Sequence, residues 1–280
     1  ILNRAPTTTH FYENRTMKSE PNTYRQKKNK YDGMLTIYGR KPVLEALQDP
    51  SISVAKIHMA HSNKPATILS NIEKLAISQN VELNWIDKRV LSRISRNSKQ
   101  DQGIAADLAL ANYFTLDDFF TQYLGASNDR FLILDAVTNP QNVGMIIRSA
   151  AAAGITAVVI PKQGTAELGP LVIKASAGAI FKCPIIRCES LIEALSTLSD
   201  HNISLATLNA RSNNHGNPKE IAYREIRENC RQATAFILGN ETDGISDAAQ
   251  RKADFSVYIP MNNGVESLNV AITAALIAFA

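Results

Sequence analysis

The stretch Phe131-Leu-Ile-Leu-Asp-Ala-Val-Thr-Asn-Pro-Gln-Asn-Val-Gly144 starts with four apolar residues and runs directly into a polar turn. Four similar apolar runs follow it, at 157–160, 203–208, 235–238 and 255–259. Strands that are apolar along their whole length are typical of a parallel sheet covered on both faces. Helical patterns alternate with these runs, at 143–153, 190–198, 246–252 and from 268 onward. Residues 130–280 are therefore predicted to form an α/β domain with a parallel sheet.

A second, smaller α/β unit is predicted ahead of this domain, at residues 34–112. Its hydrophobic periodicity indicates strands at 55–60, 81–86 and 103–110, with helices at 40–48, 64–79 and 88–94. Residues 113–129 end in the run Gly125-Ala-Ser-Asn-Asp129. Because such small and polar residues favour loops, this segment is predicted to be a connecting helix followed by a linker.

The charge of the chain is concentrated at its beginning. Residues 1–33 carry seven basic and three acidic side chains, and their net charge of +4 equals the formal net charge of all 280 residues. A segment so poor in aliphatic residues cannot bury enough surface to offset the entropy lost on ordering. We predict a disordered basic tail, which either attracts RNA phosphates or is only a solvated extension. The rest of the chain is balanced in charge, so it must contact any RNA through local basic patches.

Composition excludes several classes of protein. The longest apolar run, at 270–280, is shorter than the roughly 20 residues that span a bilayer, and the first residues lack the apolar core of a secretory signal. The three cysteines Cys183, Cys188 and Cys230 have no C-x-x-C spacing, which argues against a disulfide framework and a zinc site. His58 and His61 are interpreted as solvated loop residues, with a metal pair as the alternative. We expect a cytoplasmic protein with no membrane segment and no metal.

Two more polar turns follow apolar strands. They are Gly239-Asn-Glu-Thr-Asp-Gly244 and Pro260-Met-Asn-Asn-Gly-Val-Glu-Ser-Leu-Asn269. Ligands of open parallel sheets bind outside the carboxyl ends of the strands. Together with the turn after residue 134, these segments therefore predict one site at one edge of the sheet. The absence of a G-x-G-x-x-G run disfavours an ordinary dinucleotide-binding fold or the usual Rossmann-type methyltransferase.

The first polar turn offers Asn142 and Arg148 as candidate site residues. Asn142 is predicted to be the N-cap of the helix that follows. Arg148 lies off the apolar face of that helix, and Gly144, one turn earlier on the side of Arg148, is expected to leave room for a substrate group. The alternative is a capping asparagine and a surface arginine with no further role.

The second and third turns offer Glu241, Ser267 and Asn269. Each has an ordinary explanation: Glu241 complements the positive N-terminus of the helix from Ser246, and Ser267 caps the last helix with Asn269 close behind. These explanations account for single residues. They do not account for three such turns at one edge of a sheet.

The three turns, with their flanks, resemble the ordered motifs of a known family. Asn139-Pro-Gln-Asn-Val-Gly-Met-Ile-Ile-Arg148, Ile237-Leu-Gly-Asn-Glu-Thr-Asp-Gly-Ile245 and Ile259-Pro-Met-Asn-Asn-Gly-Val-Glu-Ser-Leu-Asn-Val270 are similar to motifs of the SpoU (TrmH) RNA ribose 2′-O-methyltransferases, which belong to the SPOUT superfamily. The resemblance implies a trefoil knot in the C-terminal domain, with the chain after Ile203 threading through itself. It also implies a homodimer with the active site near the subunit interface.

The same resemblance assigns roles to residues of this chain. It implies an S-adenosylmethionine pocket lined by Leu208, Asn209, Gly239, Ile259, Met261 and Leu268. It further implies that Arg148 activates the ribose 2′-hydroxyl and is held by Asn142, Glu241, Ser267 and Asn269.

The N-terminal unit resembles the substrate-binding domain of one branch of this family. Ile37-Tyr-Gly-Arg-Lys-Pro-Val-Leu-Glu-Ala-Leu47 and Asp101-Gln-Gly-Ile104 are similar to the branch that methylates a guanosine of large-subunit ribosomal RNA, whose domain is similar to a small RNA-binding ribosomal protein. The RNA contacts expected from this are Arg40, Lys41 and Lys64, with Ser176 beside the substrate. Transfer RNA as substrate, and a non-catalytic RNA-binding ribosome-assembly factor, are the alternatives.

Overall fold

The computed structural model describes residues 34–50, 52–109, 112–123, 125–209, 220–240 and 242–280. The predicted basic tail at 1–33 and the predicted site residue Glu241 lie outside the described residues, and so does the side chain of Asn209. Within the described ranges, no helix is both long enough and apolar enough to cross a bilayer.

The N-terminal unit contains a four-stranded sheet in the order β1-β4-β2-β3. Its elements are β1 (Met34–Tyr38), α1 (Arg40–Gln48), β2 (Ser53–Ala60), α2 (Thr67–Ser78), β3 (Glu82–Ile86), α3 (Lys88–Ser95) and β4 (Ile104–Ala109). The β1–β4 and β2–β4 pairs are antiparallel, whereas β2–β3 is parallel. Strand β1 was not predicted, although its residues alternate between half-buried and buried as a strand with one covered face does.

The C-terminal unit contains an eight-stranded sheet in which every described pair of neighbours is parallel. Its strands are β5 (Tyr113–Thr115), β6 (Arg130–Leu134), β7 (Ala157–Pro161), β8 (Ile185–Cys188), β9 (Ser204–Asn209), β10 (Glu220–Ala222), β11 (Thr234–Leu238) and β12 (Phe255–Tyr258). Its α-helices are α4 (Leu116–Gln122), α5 (Pro140–Ala153), α6 (Pro170–Ser176), α7 (Leu191–Asp200), α8 (Ile226–Asn229), α9 (Asp247–Lys252) and α10 (Val270–Phe279). The predicted α/β class and parallel sheet are confirmed.

Helices cover both faces of this sheet, which explains why its strands are apolar throughout. In β6, Leu132 and Leu134 pack in one hydrophobic cluster with residues of α5, α6 and α10. Phe131 and Ile133, which point the other way, pack in a second cluster with residues of α4, α7 and α9. Successive residues of one strand therefore anchor opposite helix layers.

The segment 113–129 contains the predicted helix and, ahead of it, a strand that was not predicted. Its β5 pairs with β8, with Phe114 opposite Ile186, and forms one edge of the eight-stranded sheet. Thr115 then caps α4 by accepting a hydrogen bond from the backbone N–H of Asp118. A strand of three residues is too short to show a period, which is why the sequence pattern indicated only a helix and a linker here.

The order of the sheet is β10-β12-β9-β11-β6-β7-β8-β5. Strand β11 follows β9 and β10 in the chain but lies between β6 and β9 in the sheet. As a result, the carboxyl ends of β12, β9 and β11 lie side by side. Strand order alone does not demonstrate the trefoil knot, which stays a prediction.

Candidate active site

A pocket of about 350 Å³ opens at the carboxyl ends of β9, β11 and β12, and we call it the rim pocket. Its volume is within the range of small-molecule sites. Six of the predicted site residues line it: Leu208, Gly239, Ile259, Met261, Ser267 and Leu268. Asn209 ends β9 next to Leu208 and pairs in register with Tyr258 of β12. The second and third polar turns thus meet at one edge of the sheet.

The turn after β11 is folded tightly over the end of its own strand. The backbones of Asn240 and Gly244 exchange hydrogen bonds of 3.1 and 3.2 Å, and Asn240 Oδ1 accepts from the backbone N–H groups of Thr242 and Asp243 at 2.8 and 2.6 Å. A Cβ atom on Gly239 would lie 2.2 Å from the carbonyl oxygen of Gly244. The wall of the rim pocket therefore has its shape only because residue 239 is glycine.

Asp135 ties this turn to the end of the neighbouring strand β6. Its side chain is buried, and Oδ2 accepts a 2.7 Å hydrogen bond from the backbone N–H of Ser246. Its own backbone N–H donates to the carbonyl of Leu238 at 2.8 Å. Asp135 is not among the predicted site residues, although a buried carboxylate directly after an apolar strand needs hydrogen-bond partners.

Helix α5 begins earlier than predicted, and its N-cap is Asn139 rather than Asn142. Asn139 Oδ1 accepts from the backbone N–H of Gln141 at 2.9 Å, and Pro140 occupies the first helical position. Proline is favoured there because its φ is already helical and its missing N–H has no partner to lose. The prediction of Asn142 as the cap is therefore wrong, and its side chain makes a different contact.

That contact links the first and third polar turns. Asn142 is 4% exposed, and its Oδ1 accepts a 3.1 Å hydrogen bond from Asn269 Nδ2. Asn269 Oδ1 in turn accepts from the backbone N–H of Ala271 at 2.8 Å and caps α10. Two of the predicted catalytic residues thus contact each other although 127 positions separate them in the chain.

Ser267 is placed differently from the prediction. It is exposed and lines the rim pocket, whereas the N-cap of α10 is Asn269. The predicted capping role of Ser267 is wrong because α10 starts only at Val270. Ser267 instead forms part of the lining of the rim pocket.

Arg148 lies on the exposed side of α5, beside the 41%-exposed Met145. It is not among the residues that line the rim pocket of its own chain. The space expected beside Gly144 is filled, because a Cβ there would lie 2.5 Å from Ala175 Cβ and 2.7 Å from the carbonyl oxygen of Val172. Gly144 therefore allows α5 and α6 to pack closely, and the prediction of a substrate space beside it is wrong.

Ser176 is fully buried at the end of α6. Its hydroxyl donates a 2.9 Å hydrogen bond to the carbonyl of Ile173. A buried hydroxyl with an internal partner does not contact RNA in this conformation. The structure therefore places Ser176 in the α5–α6 packing and away from the rim pocket.

The basic residues predicted in the small domain separate into two places. Arg40 and Lys64 line one polar cleft of about 420 Å³. Lys41 does not line this cleft and forms a highly exposed i,i+4 pair with Glu45, at 3.8 Å. A pair so exposed contributes little to stability.

The two histidines have different environments. His58 lies buried in β2, with Nε2 2.8 Å from Asp107 Oδ2, so its placement in a solvated loop is wrong. His61 follows β2 and stacks on Trp85, with ring centroids 6.2 Å apart. Within the described part of the chain, no group of three or more histidine, cysteine, aspartate or glutamate side chains could hold a metal ion.

Two family models match most of the described chain. Residues 129–279 match the SpoU rRNA Methylase family, and residues 36–114 match the domain described as RNA 2′-O ribose methyltransferase substrate binding. A putative TrmH family tRNA/rRNA methyltransferase of Staphylococcus saprophyticus is 31% identical over 246 residues, which are 88% of this chain and 94% of that protein.

Solved structures share the fold at lower identity. An AdoMet-bound rRNA methyltransferase from Sinorhizobium meliloti aligns with a TM-score of 0.60 and 20% identity, over 91% of this chain and 88% of that one. The SpoU methyltransferase AviRb from Streptomyces viridochromogenes, in complex with AdoMet, aligns with a TM-score of 0.58 and 22% identity over 92% of each chain.

Proposed function

This chain belongs to the SpoU rRNA Methylase family, and from that premise we propose that it transfers a methyl group from S-adenosylmethionine to a ribose 2′-hydroxyl of RNA, in a guanosine of large-subunit ribosomal RNA. One observation carries the proposal. Five of the six residues that the family resemblance assigns to the methyl donor line the rim pocket, although they lie in or after three separate strands.

The rim pocket fits such a donor in size and chemistry. Leu208, Ile259 and Leu268 supply apolar walls for an adenine ring. Gly239, Asn240 and Gly244 supply backbone groups at close range because Gly239 has no side chain. Pockets of this kind combine mostly apolar walls with a few fixed polar groups. S-adenosylmethionine, when bound there, supplies an electrophilic methyl group on a positively charged sulfur.

Arg148 acts on the RNA in this proposal. Its guanidinium binds the target phosphate and ribose and so holds the 2′-oxygen in line, and positioning of this kind can supply about 7 to 11 kcal/mol. Arginine does not lose its proton in proteins, so the RNA phosphate or a water molecule accepts the proton of the hydroxyl. Glu241, which lies outside the described residues, is proposed to fix the guanidinium.

A homodimer completes the site. Arg148 is exposed and does not line the rim pocket of its own chain. The neighbouring helix α10 also leaves apolar side chains uncovered, since Ile272 is 54% and Phe279 56% exposed. We infer that a second copy covers this face and that Arg148 of one protomer then serves the rim pocket of its partner.

The proposal also names the RNA and the nucleotide that are methylated. Relatives are named as tRNA/rRNA methyltransferases, and the N-terminal domain at 36–114 matches a substrate-binding model. The resemblance of residues 37–47 and 101–104 to one branch supports a guanosine of large-subunit ribosomal RNA. Transfer RNA is the alternative.

Incubation of the purified protein with labelled S-adenosylmethionine and RNA from cells that lack its gene tests this function. The proposal expects label in a 2′-O-methylguanosine of large-subunit ribosomal RNA, located by mapping ribose methylation. Label in transfer RNA alone would contradict the substrate but not the reaction. A chain that binds RNA but neither binds nor consumes the methyl donor is a non-catalytic assembly factor.

A further inference from the structure

The polar cleft of the small domain lies at the end of its sheet, where β2 and β3 finish and β4 begins. Four basic side chains line this cleft: Arg40, Lys64, Lys88 and Lys99. The single acidic residue of the described lining, Asp101, is 1% exposed. The cleft is therefore a local positive surface in a part of the chain that is otherwise balanced in charge.

Hydrogen bonds hold the floor of the cleft in place. The Asp101 carboxylate accepts from Ser95 Oγ at 3.1 Å and from the backbone N–H of Gly103 at 3.0 Å. Asn63 Nδ2 donates to the Gly103 carbonyl at 2.8 Å, and Arg40 Nε donates to the Gln102 carbonyl at 3.2 Å. Arg40 is thus fixed at the cleft before any ligand arrives, which lowers the entropy cost of binding.

An aromatic surface adjoins the cleft. His61 and Trp85 stack with their rings inclined by 25°, and the backbone N–H of His61 donates to the carbonyl of Ile86 at 3.0 Å. His61 directly precedes Ser62 of the cleft lining. Trp85 remains 43% exposed, although a large indole is normally well buried.

We propose that the cleft and the adjoining Trp85 bind one unpaired segment of the substrate RNA, with phosphates at the basic side chains and a base stacked on the indole. The inference rests on the proposed function in that it takes RNA as the substrate. Basic grooves flanked by aromatic rings bind single-stranded nucleic acid in this way. A base inside a duplex has both faces covered by its neighbours, so an exposed indole selects loops or single strands over helices.

Trp85 is the single tryptophan of the chain, so its emission reports directly on the proposed contact. The probes are a 12-nucleotide RNA without internal pairing and the same strand annealed to its complement. The inference predicts strong quenching of Trp85 emission by the single strand and little quenching by the duplex. Equal quenching by both, or a bound single strand that leaves the emission unchanged, would overturn it.

Variants separate stacking from charge in binding experiments at several salt concentrations. Trp85→Ala should bind the single strand at least fivefold more weakly, as expected for loss of one stacked base, with an unchanged salt slope, while Trp85→Phe keeps most of the affinity. Lys64→Ala should make the salt dependence weaker. The negative slope of log K against log[salt] should become shallower by about 0.7, the effect of one lost phosphate contact. Lys74→Ala, an exposed lysine of α2 outside the cleft, is the matched control and should bind as wild type.

These outcomes are independent of the catalytic proposal. Trp85→Ala should bind S-adenosylhomocysteine like the wild type, because the rim pocket lies in the other domain. Wild-type affinity of Trp85→Ala for the single strand would refute the inference even where methyl transfer to RNA is intact. If instead the wild type does not bind the methyl donor, the proposed function fails, and the quenching experiment still decides the inference.

Discussion

Gly239 is the residue on which the shape of the rim pocket depends most. Because a Cβ there would lie 2.2 Å from the Gly244 carbonyl oxygen, Gly239→Ala must push the turn away from its strand. We expect a stability loss of about 1–3 kcal/mol, typical of overpacking, and at least tenfold weaker binding of S-adenosylhomocysteine in calorimetry. Gly169→Ala, where a Cβ meets nothing within 4 Å, is the control. Donor binding by Gly239→Ala at wild-type affinity would show that the turn does not hold the donor.

Arg148→Lys tests whether this residue works by geometry or by charge alone. Lysine keeps the positive charge but loses the planar fork that binds a phosphate and a ribose together. We expect turnover to fall ~10²-fold, the cost of a small misplacement of reacting groups, with donor affinity unchanged because Arg148 does not line the rim pocket. Steady-state kinetics and calorimetry measure the two quantities. Near-normal turnover would refute the positioning role.

At the scale of elements, a polar chain crosses all four strands of the small sheet. Asp107 in β4 accepts from Thr36 Oγ1 in β1 at 2.7 Å and lies 2.8 Å from His58 Nε2 in β2. Asn84 in β3 lies 3.4 Å from the other ring nitrogen of His58. Burial acts to raise the pKa of Asp107, but the hydrogen bonds from His58 and Thr36 outweigh it and hold the pKa below its ordinary value of 3.8.

Because ionised Asp107 stabilises the small sheet, we expect the stability of this sheet to fall in acid. Because the pKa of Asp107 is lower in the folded chain, its stabilisation is fully present above the ordinary value of 3.8 and is lost as pH falls through the folded pKa. We expect wild type to unfold at a higher temperature than Asp107→Asn at pH 7, with the difference shrinking as the pH falls below about 4. Glu45 is an exposed carboxylate on α1. The control Glu45→Gln should unfold at the same temperature as wild type at each pH. A difference that is constant with pH would contradict this role of Asp107.

Strands were predictable where their apolar run was long. The buried strands β6, β7, β9, β11 and β12 each show a continuous apolar run, and the pattern placed all five within two residues of their ends. The short strands β5 and β10, with three residues each, carry no period that could be recognised. Helix starts were misplaced for α5 and α10 because several capping residues compete in the preceding turns, and only tertiary contacts decide among them.

At the scale of the whole molecule, the proposed homodimer makes a specific prediction about shared sites. Arg148→Ala and Leu268→Arg should each be inactive alone. The first substitution removes the proposed RNA contact, and the second blocks the rim pocket. If Arg148 serves the partner's pocket, a co-expressed mixture contains dimers with one intact site and should regain about a quarter of wild-type activity, as random pairing of two subunits gives. A mixture no more active than its components would place both residues in one protomer's site.

The sequence predicted where the site lies, but it did not predict which side chains contact each other there. Parallel strands put their polar turns at one edge, which brought Leu208, Gly239 and Leu268 to one pocket. The Asn142–Asn269 hydrogen bond joins residues 127 positions apart, and no local pattern encodes it. Burial of Ser176 likewise follows from how α5 meets α6 at Gly144, which is a property of the folded chain.

The central claim is that the rim pocket at the ends of β9, β11 and β12 holds the methyl donor. Calorimetric titration of S-adenosylhomocysteine into wild type, Leu268→Arg and Val265→Arg tests it most directly. Leu268 lines the pocket, whereas Val265, three residues earlier in the same loop, is 51% exposed and does not. We predict one site per chain in wild type and Val265→Arg and none in Leu268→Arg. Binding by Leu268→Arg at wild-type affinity, or no binding by wild type, would contradict the claim.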